Sequence, residues 1–312
     1  MIKHTPENFS IKPGAEKFPL MVVVSFSYVC NAQCPNCPYN NSNIRSDYRD
    51  ALLIPKNIFY KIADECGKHN AFIRLSGGGE PMLHPKASEF IIYAKSVGAK
   101  IGLITNGSKF TKKNTEKLID SNIDVLEFSA DAGDEKTYTL VRPGLSWKKL
   151  LKNVDYAVEY RNKTKANTKV IVSIINQKNV NVDESEYFWK TKVDAVQIRK
   201  YLTWGYNEDN SADSTPYLES KKRIPCPWLF ERLNIDSRGD ITICGEDISF
   251  KYKFANIMES TIQEIWLGKE FEQFRKLHLN RKGDSIEICK TCPDWQFRSW
   301  EHNYWKLIGA KK

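Results

Sequence analysis

Cys30, Cys34 and Cys37 share one short segment with C-x3-C-x2-C spacing. Thiolates are soft ligands. Three on one loop can each take an iron of a [4Fe-4S] cubane, leaving the fourth iron open to a small molecule. The competing use of such a trio is structural zinc, but zinc sites are normally closed by four ligands at paired spacings, and no histidine lies in this loop. Four further cysteines, Cys226, Cys244, Cys289 and Cys292, are spaced C-x17-C-x44-C-x2-C. Four thiolates close one [4Fe-4S] cluster or one structural zinc site equally well, so spacing alone leaves both open. The eighth cysteine, Cys66, follows Ile62-Ala63-Asp64-Glu65 on an amphipathic stretch, where a packed core thiol is the ordinary reading.

The elements that must position these groups show in the hydrophobic pattern. Short apolar, β-branched runs at residues 19–26, 71–76, 100–105, 125–130, 169–175 and 194–202 predict strands. Between them, residues 54–69, 85–97, 112–121, 145–161 and 184–191 predict amphipathic helices. Strands alternating with helices imply βαβ units, an α/β fold and an incomplete (β/α)6 barrel whose chemistry sits at the strand C-terminal ends. The cysteine trio lies just beyond the first such end. After Trp204 the pattern changes. The predicted organisation is an N-terminal extension (1–18), a partial barrel (19–204), a polar, turn-rich linker (205–225), a small α+β domain (226–292) and an aromatic, basic helix or tail (293–312). Within the small domain, residues 233–244 predict a hairpin turning at Asp236-Ser237-Arg238-Gly239, and residues 261–277 predict one helix.

The trio after a first strand, followed by Gly77-Gly78-Gly79-Glu80-Pro81 after the second, resembles the radical S-adenosylmethionine (SAM) superfamily over nearly the whole chain. The resemblance implies that Cys30, Cys34 and Cys37 hold a [4Fe-4S] cluster that binds SAM and reduces it to a 5′-deoxyadenosyl radical. Gly77, Gly78, Gly79 and Glu80 would then receive the SAM amino group, glycine letting backbone carbonyls approach an ammonium closely. Asn106, Ser129, Asp131 and Ser173, at or beside the ends of the third, fourth and fifth strands, would meet ribose and carboxylate groups, with Asn176 a weaker candidate of the same kind. Arg142, in Val-Arg-Pro-Gly, resembles an arginine that pairs with the SAM carboxylate; the bland reading is a surface arginine. One position departs from the family pattern: Asn36 stands before the third cysteine where an aromatic residue is usual, with Tyr39 just after the loop.

Cys226-Pro227-Trp228, the hairpin ending in Cys244, the Glu264-Ile265-Trp266 helix and Cys289-Lys290-Thr291-Cys292 resemble the auxiliary-cluster domains called SPASM and, in shortened form, Twitch. Four cysteines imply the one-cluster type and, with the first site, two [4Fe-4S] clusters. The arrangement is similar to sugar-modifying radical SAM alcohol dehydrogenases of the butirosin-pathway type, which implies oxidation of a secondary alcohol. If alternate residues of the sixth strand face inward, Gln197, Arg199 and Tyr201 share a face, as do Glu127, Ser129 and Asp131, and Arg74 with Ser76. Arg199 and Tyr201 are the candidate catalytic residues; a salt-bridge network that only braces the barrel is the bland reading of Arg74 and Glu127.

Other readings compete. Epimerisation would return a hydrogen from a thiol, for which only Cys66 is spare. Peptide maturation usually brings an N-terminal peptide-binding domain, for which the 29 residues before Cys30 are few. An iron–sulfur electron carrier or RNA-binding protein is permitted by the +9 formal charge but leaves the open cluster and its glycine motif unexplained. That charge suits a phosphorylated or nucleotide-linked polar small molecule and an acidic electron donor such as a flavodoxin or ferredoxin; acidic and basic residues are mixed along the chain, so nucleic acid is not the expected partner. No run approaches the roughly 20 apolar residues of a membrane span, and the start has no apolar signal-peptide core, so a cytoplasmic, membrane-free protein is expected.

Overall fold

The computed structural model describes residues 14–40, 50–201, 224–290, 292 and 295. The expectations for residues 1–13, for Leu202, for most of the linker and for the tail apart from Trp295 lie outside the described residues. The first part of the chain runs β1 (Met21–Val24), α1 (Lys56–Lys68), β2 (Phe72–Leu75), α2 (Ala87–Ser96), β3 (Lys100–Thr105), α3 (Lys112–Asp120), β4 (Val125–Ser129), α4 (Glu135–Val141), α5 (Trp147–Thr164), β5 (Lys169–Asn176), α6 (Val182–Trp189) and β6 (Ala195–Lys200). The second part runs β7 (Arg232–Ile235), β8 (Asp240–Thr242), β9 (Lys253–Asn256), α7 (Ile262–Leu267), α8 (Lys269–Leu279) and α9 (Glu287–Lys290). One nine-stranded sheet has the order β6-β5-β4-β3-β2-β1-β7-β8-β9. Neighbours from β6 through β1 to β7 are parallel, whereas β8 and β9 join antiparallel. With β6 at one edge and β9 at the other, the described sheet is an unclosed barrel, as expected.

Strand alternation sorts the side chains into two environments. Val22, Val24, Ile73, Leu75, Ile101, Leu103, Phe128 and Val172 join the large core with Phe59, Ile62, Phe90 and Leu118 from the helices. Residues of the other parity, Met21, Val23, Phe72, Val125 and Ile171, form a separate apolar cluster with Trp228. They make a floor on the inner face at the N-terminal ends of the strands. Farther along the same faces come Arg74, Glu127, Ser129, Ser173, Gln197 and Arg199, so the inner wall turns polar toward the C-terminal ends. Burying the floor alone stabilises the sheet by about 1.5–3 kcal/mol per large apolar side chain.

Local differences from expectation have identifiable causes. The run at 261–277 holds two helices because Gly268 is extended (φ −66°, ψ 153°) between α7 and α8. Helix α5 begins at Trp147 because Ser146 caps it through the Lys149 amide, and it runs on to Thr164 before Lys165 turns left-handed. The unexpected α4 is capped by Asp134, whose carboxylate accepts from the Thr137 amide at 2.9 Å. The hairpin is present, with Asp236 Oδ1 accepting from the amides of Arg238 and Asp240 at 2.8 and 2.9 Å.

The loop after β2 packs directly under the loop after β1. Gly78 has φ +70°, and a Cβ there would lie 2.6 Å from the Ser27 carbonyl oxygen; at Gly79 it would lie 2.3 Å from that of Val29. Gly79→Ala therefore forces the two loops apart, and urea unfolding should show a loss of about 1–3 kcal/mol. An unchanged midpoint would show that the loops are not held in this contact.

Candidate functional site

The cysteine loop is held by backbone bonds on several sides. The Gln33 amide donates to the Pro143 carbonyl at 3.1 Å, the Glu80 amide donates to the Val29 carbonyl at 2.8 Å, and the Cys37 amide donates to the Cys34 carbonyl at 3.1 Å. Asn31 adds a side-chain tie, accepting from Asn106 Nδ2 at 3.1 Å and donating to Ser108 Oγ at 3.0 Å. Cys34 is buried, while Cys30 and Cys37 are half-buried. Burial and then the neighbouring Cys34 push the Cys37 thiol up to about 11; burial also raises Cys30. The three sulfurs thus lie within one another's field. Without a compensating cation or cluster, such buried thiols stay protonated.

Around this loop the polar residues form closed pairs. Glu80 is 2% exposed. Its Oε1 accepts from Thr105 Oγ1 at 2.7 Å and the Met82 amide at 3.0 Å, and its Oε2 accepts from the Asn106 amide at 2.6 Å. Burial raises the pKa of this carboxyl against those bonds. The Glu80 side chain therefore ties the glycine loop to the end of β3. Asp131 adopts the left-handed region (φ 55°), which aims one oxygen at the Ile175 amide (2.8 Å) and the other at Arg142 Nε (2.8 Å). Arg142 Nη1 reaches Cys34 Sγ at 3.7 Å. Burial pulls the Arg142 pKa down, but Asp131 and Cys34 outweigh it and hold the guanidinium protonated. Thr105 was legible as part of the Thr105-Asn106-Gly107 strand end, but sequence reasoning missed Asn31 and Tyr138; Asn31 adjoins a quoted motif, whereas Tyr138 gave no signal. Tyr138 is buried beside Arg142 and Cys34, and burial pushes its hydroxyl up to about 12.

Near the glycine loop, Tyr28, Ile248 and Phe250 form a small apolar cluster with Tyr39, the Tyr28 and Tyr39 rings lying 5.8 Å apart. Ser129, the last residue of β4, is buried beside its partner Ser173, which lies inside β5 three residues before Asn176 and not at the strand end that the sequence suggested. On the inner wall, Arg199 Nη2 contacts Glu127 Oε1 at 2.6 Å and Gln197 Oε1 at 2.8 Å, with Glu127 completely buried. Tyr201 follows β6 and is half-buried.

Cys226, Cys244, Cys289 and Cys292 line a single cavity, together with Trp228, Glu246, His278 and Trp295. The four cysteines spread over 67 residues of chain are thus brought together, and could hold one cluster. His278 Nδ1 accepts from the Cys226 amide at 3.2 Å, which leaves the ring proton on Nε2 in the neutral form. Cys66, by contrast, is fully buried in the main core.

Residues 24–185 match the radical SAM superfamily, and residues 226–293 match the SPASM iron–sulfur cluster-binding domain. The chain belongs to the radical SAM superfamily and is a radical SAM enzyme with a SPASM domain. Its cofactors are accordingly SAM and [4Fe-4S] clusters, and the thiol-rich donor sets at both ends of the barrel fit them. The tungsten-containing aldehyde ferredoxin oxidoreductase cofactor-modifying protein of Pyrococcus furiosus is 23% identical over 308 residues, covering 83% of this chain and 84% of that protein. The structure of BtrN in complex with AdoMet and 2-DOIA is similar at a TM-score of 0.60 and 18% identity, covering 88% of this chain and 93% of BtrN. Streptococcus suis SuiB bound to its precursor peptide SuiA gives 0.67 and 17%, covering 95% of this chain and 74% of SuiB. No helix among the described residues is long and apolar enough to cross a membrane.

Glu80→Gln places an amide –NH2 against donors that now meet a carboxylate oxygen. The expected cost is about 1–3 kcal/mol in urea unfolding. A wild-type midpoint would mean that Thr105 and Asn106 do not depend on this carboxylate.

Proposed function

We propose that the protein oxidises a secondary alcohol of a sugar- or cyclitol-like small molecule to a ketone. The observation that carries this reading is the convergence of four thiols on one cavity. Four protein ligands leave no cluster iron for substrate, so the C-terminal site suits an outer electron acceptor. When bound, SAM on its cluster supplies a 5′-deoxyadenosyl radical able to remove a hydrogen atom from an unactivated carbinol carbon.

In this reading Cys30, Cys34 and Cys37 hold the SAM-binding cluster. Gly77, Gly78 and Gly79 present backbone to the amino group, and Glu80 acts by fixing that loop on β3. Asn106, Ser129, Asp131, Arg142 and Ser173 complete the polar cradle, while Tyr28 and Tyr39 offer an aromatic wall for the adenine. The substrate carbinol would give a hydrogen atom to the deoxyadenosyl radical, its hydroxyl proton to water and one electron to the C-terminal cluster, which together make a two-electron oxidation. Arg199, oriented by Glu127 and Gln197, stabilises the deprotonated oxygen by charge; a guanidinium is a poor base because it keeps its own proton. Tyr201 stands beside it as a hydrogen-bonding group. Cys226, Cys244, Cys289 and Cys292 hold the acceptor for the electron. The burial of Cys66 in the core removes it as a hydrogen donor and so weighs against epimerisation. The +9 charge favours an acidic flavodoxin or ferredoxin as reductant and a phosphorylated or nucleotide-linked substrate.

A peptide substrate is the second reading. It is favoured by the likeness to SuiB with its precursor peptide and by β6, a sheet edge among the described strands to which an extended chain could add.

Anaerobic reconstitution should give about eight iron atoms per chain, falling by about half in the Cys30, Cys34 and Cys37 triple alanine variant, with all SAM cleavage lost. With candidate sugars and cyclitols, mass spectrometry should find a product two hydrogens lighter. Cys226→Ala with Cys244→Ala should keep some SAM cleavage and abolish the ketone. An isomer carrying one solvent deuterium would overturn the oxidation, and stoichiometric zinc in the C-terminal domain would overturn the acceptor.

A further inference from the structure

The geometry points to a role for Arg142 distinct from the SAM carboxylate: we infer that it tunes the reduction potential of the N-terminal cluster by donating an N–H to the Cys34 ligand sulfur. The inference rests on the reading that Cys30, Cys34 and Cys37 carry that cluster.

Three features of the chain aim this guanidinium at the sulfur. The Arg142–Gly144 segment is docked against the cysteine loop by its backbone, through the Gln33 amide on the Pro143 carbonyl at 3.1 Å. The Asp131 carboxylate engages the Nε and Nη2 side of the guanidinium fork, with Nε at 2.8 Å. Asp131 is itself fixed by the Ile175 amide at 2.8 Å, and is 1% exposed. The remaining nitrogen, Nη1, is then the one that meets Cys34 Sγ at 3.7 Å, within the reach of an N–H···S bond. The arginine side chain is 13% exposed, so water screens this contact weakly.

The consequence is electrostatic. A cluster held by three thiolates gains one negative charge when one electron enters; no bond forms or breaks, and Arg142 keeps its proton. Hydrogen bonds to cluster sulfurs and nearby positive charge both favour the reduced form and raise the potential. Asp131 moderates the effect, since its own charge opposes that of the guanidinium. Its geometric part is the fork: a lysine would bring a point charge without the fixed N–H direction.

The test is redox titration of the reconstituted full-length protein without SAM, against a low-potential mediator set, with both clusters followed by electron paramagnetic resonance. Arg142→Gln should shift the midpoint of the N-terminal cluster to more negative values and leave the auxiliary cluster where it is. Arg142→Lys should shift it in the same direction by less, and serves alone if the glutamine variant assembles poorly. Wild-type midpoints in both variants would overturn the inference, as would equal shifts of both clusters, which signal general disturbance. The underlying reading fails separately: it falls, and the inference with it, if the signal that changes on adding SAM survives replacement of Cys30, Cys34 and Cys37 by alanine. Arg142→Gln that weakens SAM binding with no change in midpoint would return this residue to the carboxylate alone.

Discussion

The parallel pairing of β7 with β1 governs where the chemistry of this protein can sit. Met21 is in register with Arg232 and Val24 with Ile235, so the two strands begin and end together. The chain leaves β1 at its C-terminal end and enters the Cys30 loop. It reaches β7 from the opposite end, through Cys226 and the helical turn Pro227–Phe230. Because β8 returns antiparallel, Cys244 comes back to the level of Cys226. The two cysteine sites are therefore placed at opposite ends of the same strands. At about 3.3 Å per residue, the four residues of β1 alone put about 13 Å between these levels.

What lies between the ends follows from period-two alternation on the inner face. Trp228 closes the bottom against Met21, Val23, Phe72, Val125 and Ile171, and Cys226 and Cys244 pack beside that floor. The wall above it carries serines, Glu127 and Arg199. A polar ligand on this wall has a dry floor below and the cysteine loop above. That geometry sets the two cysteine sites on opposite sides of the polar wall. It also explains why the C-terminal segment extends the barrel sheet: detached from β1, its cysteines would lose their fixed relation to the lumen.

The strands were readable because a parallel sheet buried on both faces needs continuous β-branched runs, and β3 was found at both of its ends. The cysteine sets stood out because grouped thiolates are a metal-ligand pattern, although spacing left cluster and zinc equally open for Cys226, Cys244, Cys289 and Cys292 and only the resemblance favoured iron. Three things were hidden. The break at Gly268 depends on backbone choice at one residue that periodicity cannot resolve. Helix α4 is seven residues long, too short for a clear apolar stripe, and only its Asp134 cap marks it. Side-chain partners were the least accessible: Glu80 was recognisable in the glycine motif after the second strand and Asp131 as a polar residue at a strand end, yet nothing in the sequence says that the first turns to Thr105 and Asn106, or the second to Arg142 and Ile175. Those partners are set by tertiary packing.

Among the described residues, three buried carboxylates of the barrel are each paired. Glu80 has three donors, Asp131 has an amide and a guanidinium, and Glu127 has Arg199. Burying such groups costs several kcal/mol each unless they are paired, and apolar replacements would serve stability as well. Their placement argues for a different purpose. Each carboxylate bridges two elements at the mouth or wall of the barrel: Glu80 joins the glycine loop to β3, Asp131 joins the β4 end to β5 and to the Arg142 segment, and Glu127 joins β4 to β6. A set of dipoles and charges fixed in this way does not reorganise when charge develops nearby, which is the condition under which polar groups stabilise a reacting centre most. The same rigidity orients Arg142 toward the cysteine loop and Arg199 toward the lumen. Position, more than net charge, is what the carboxylates contribute.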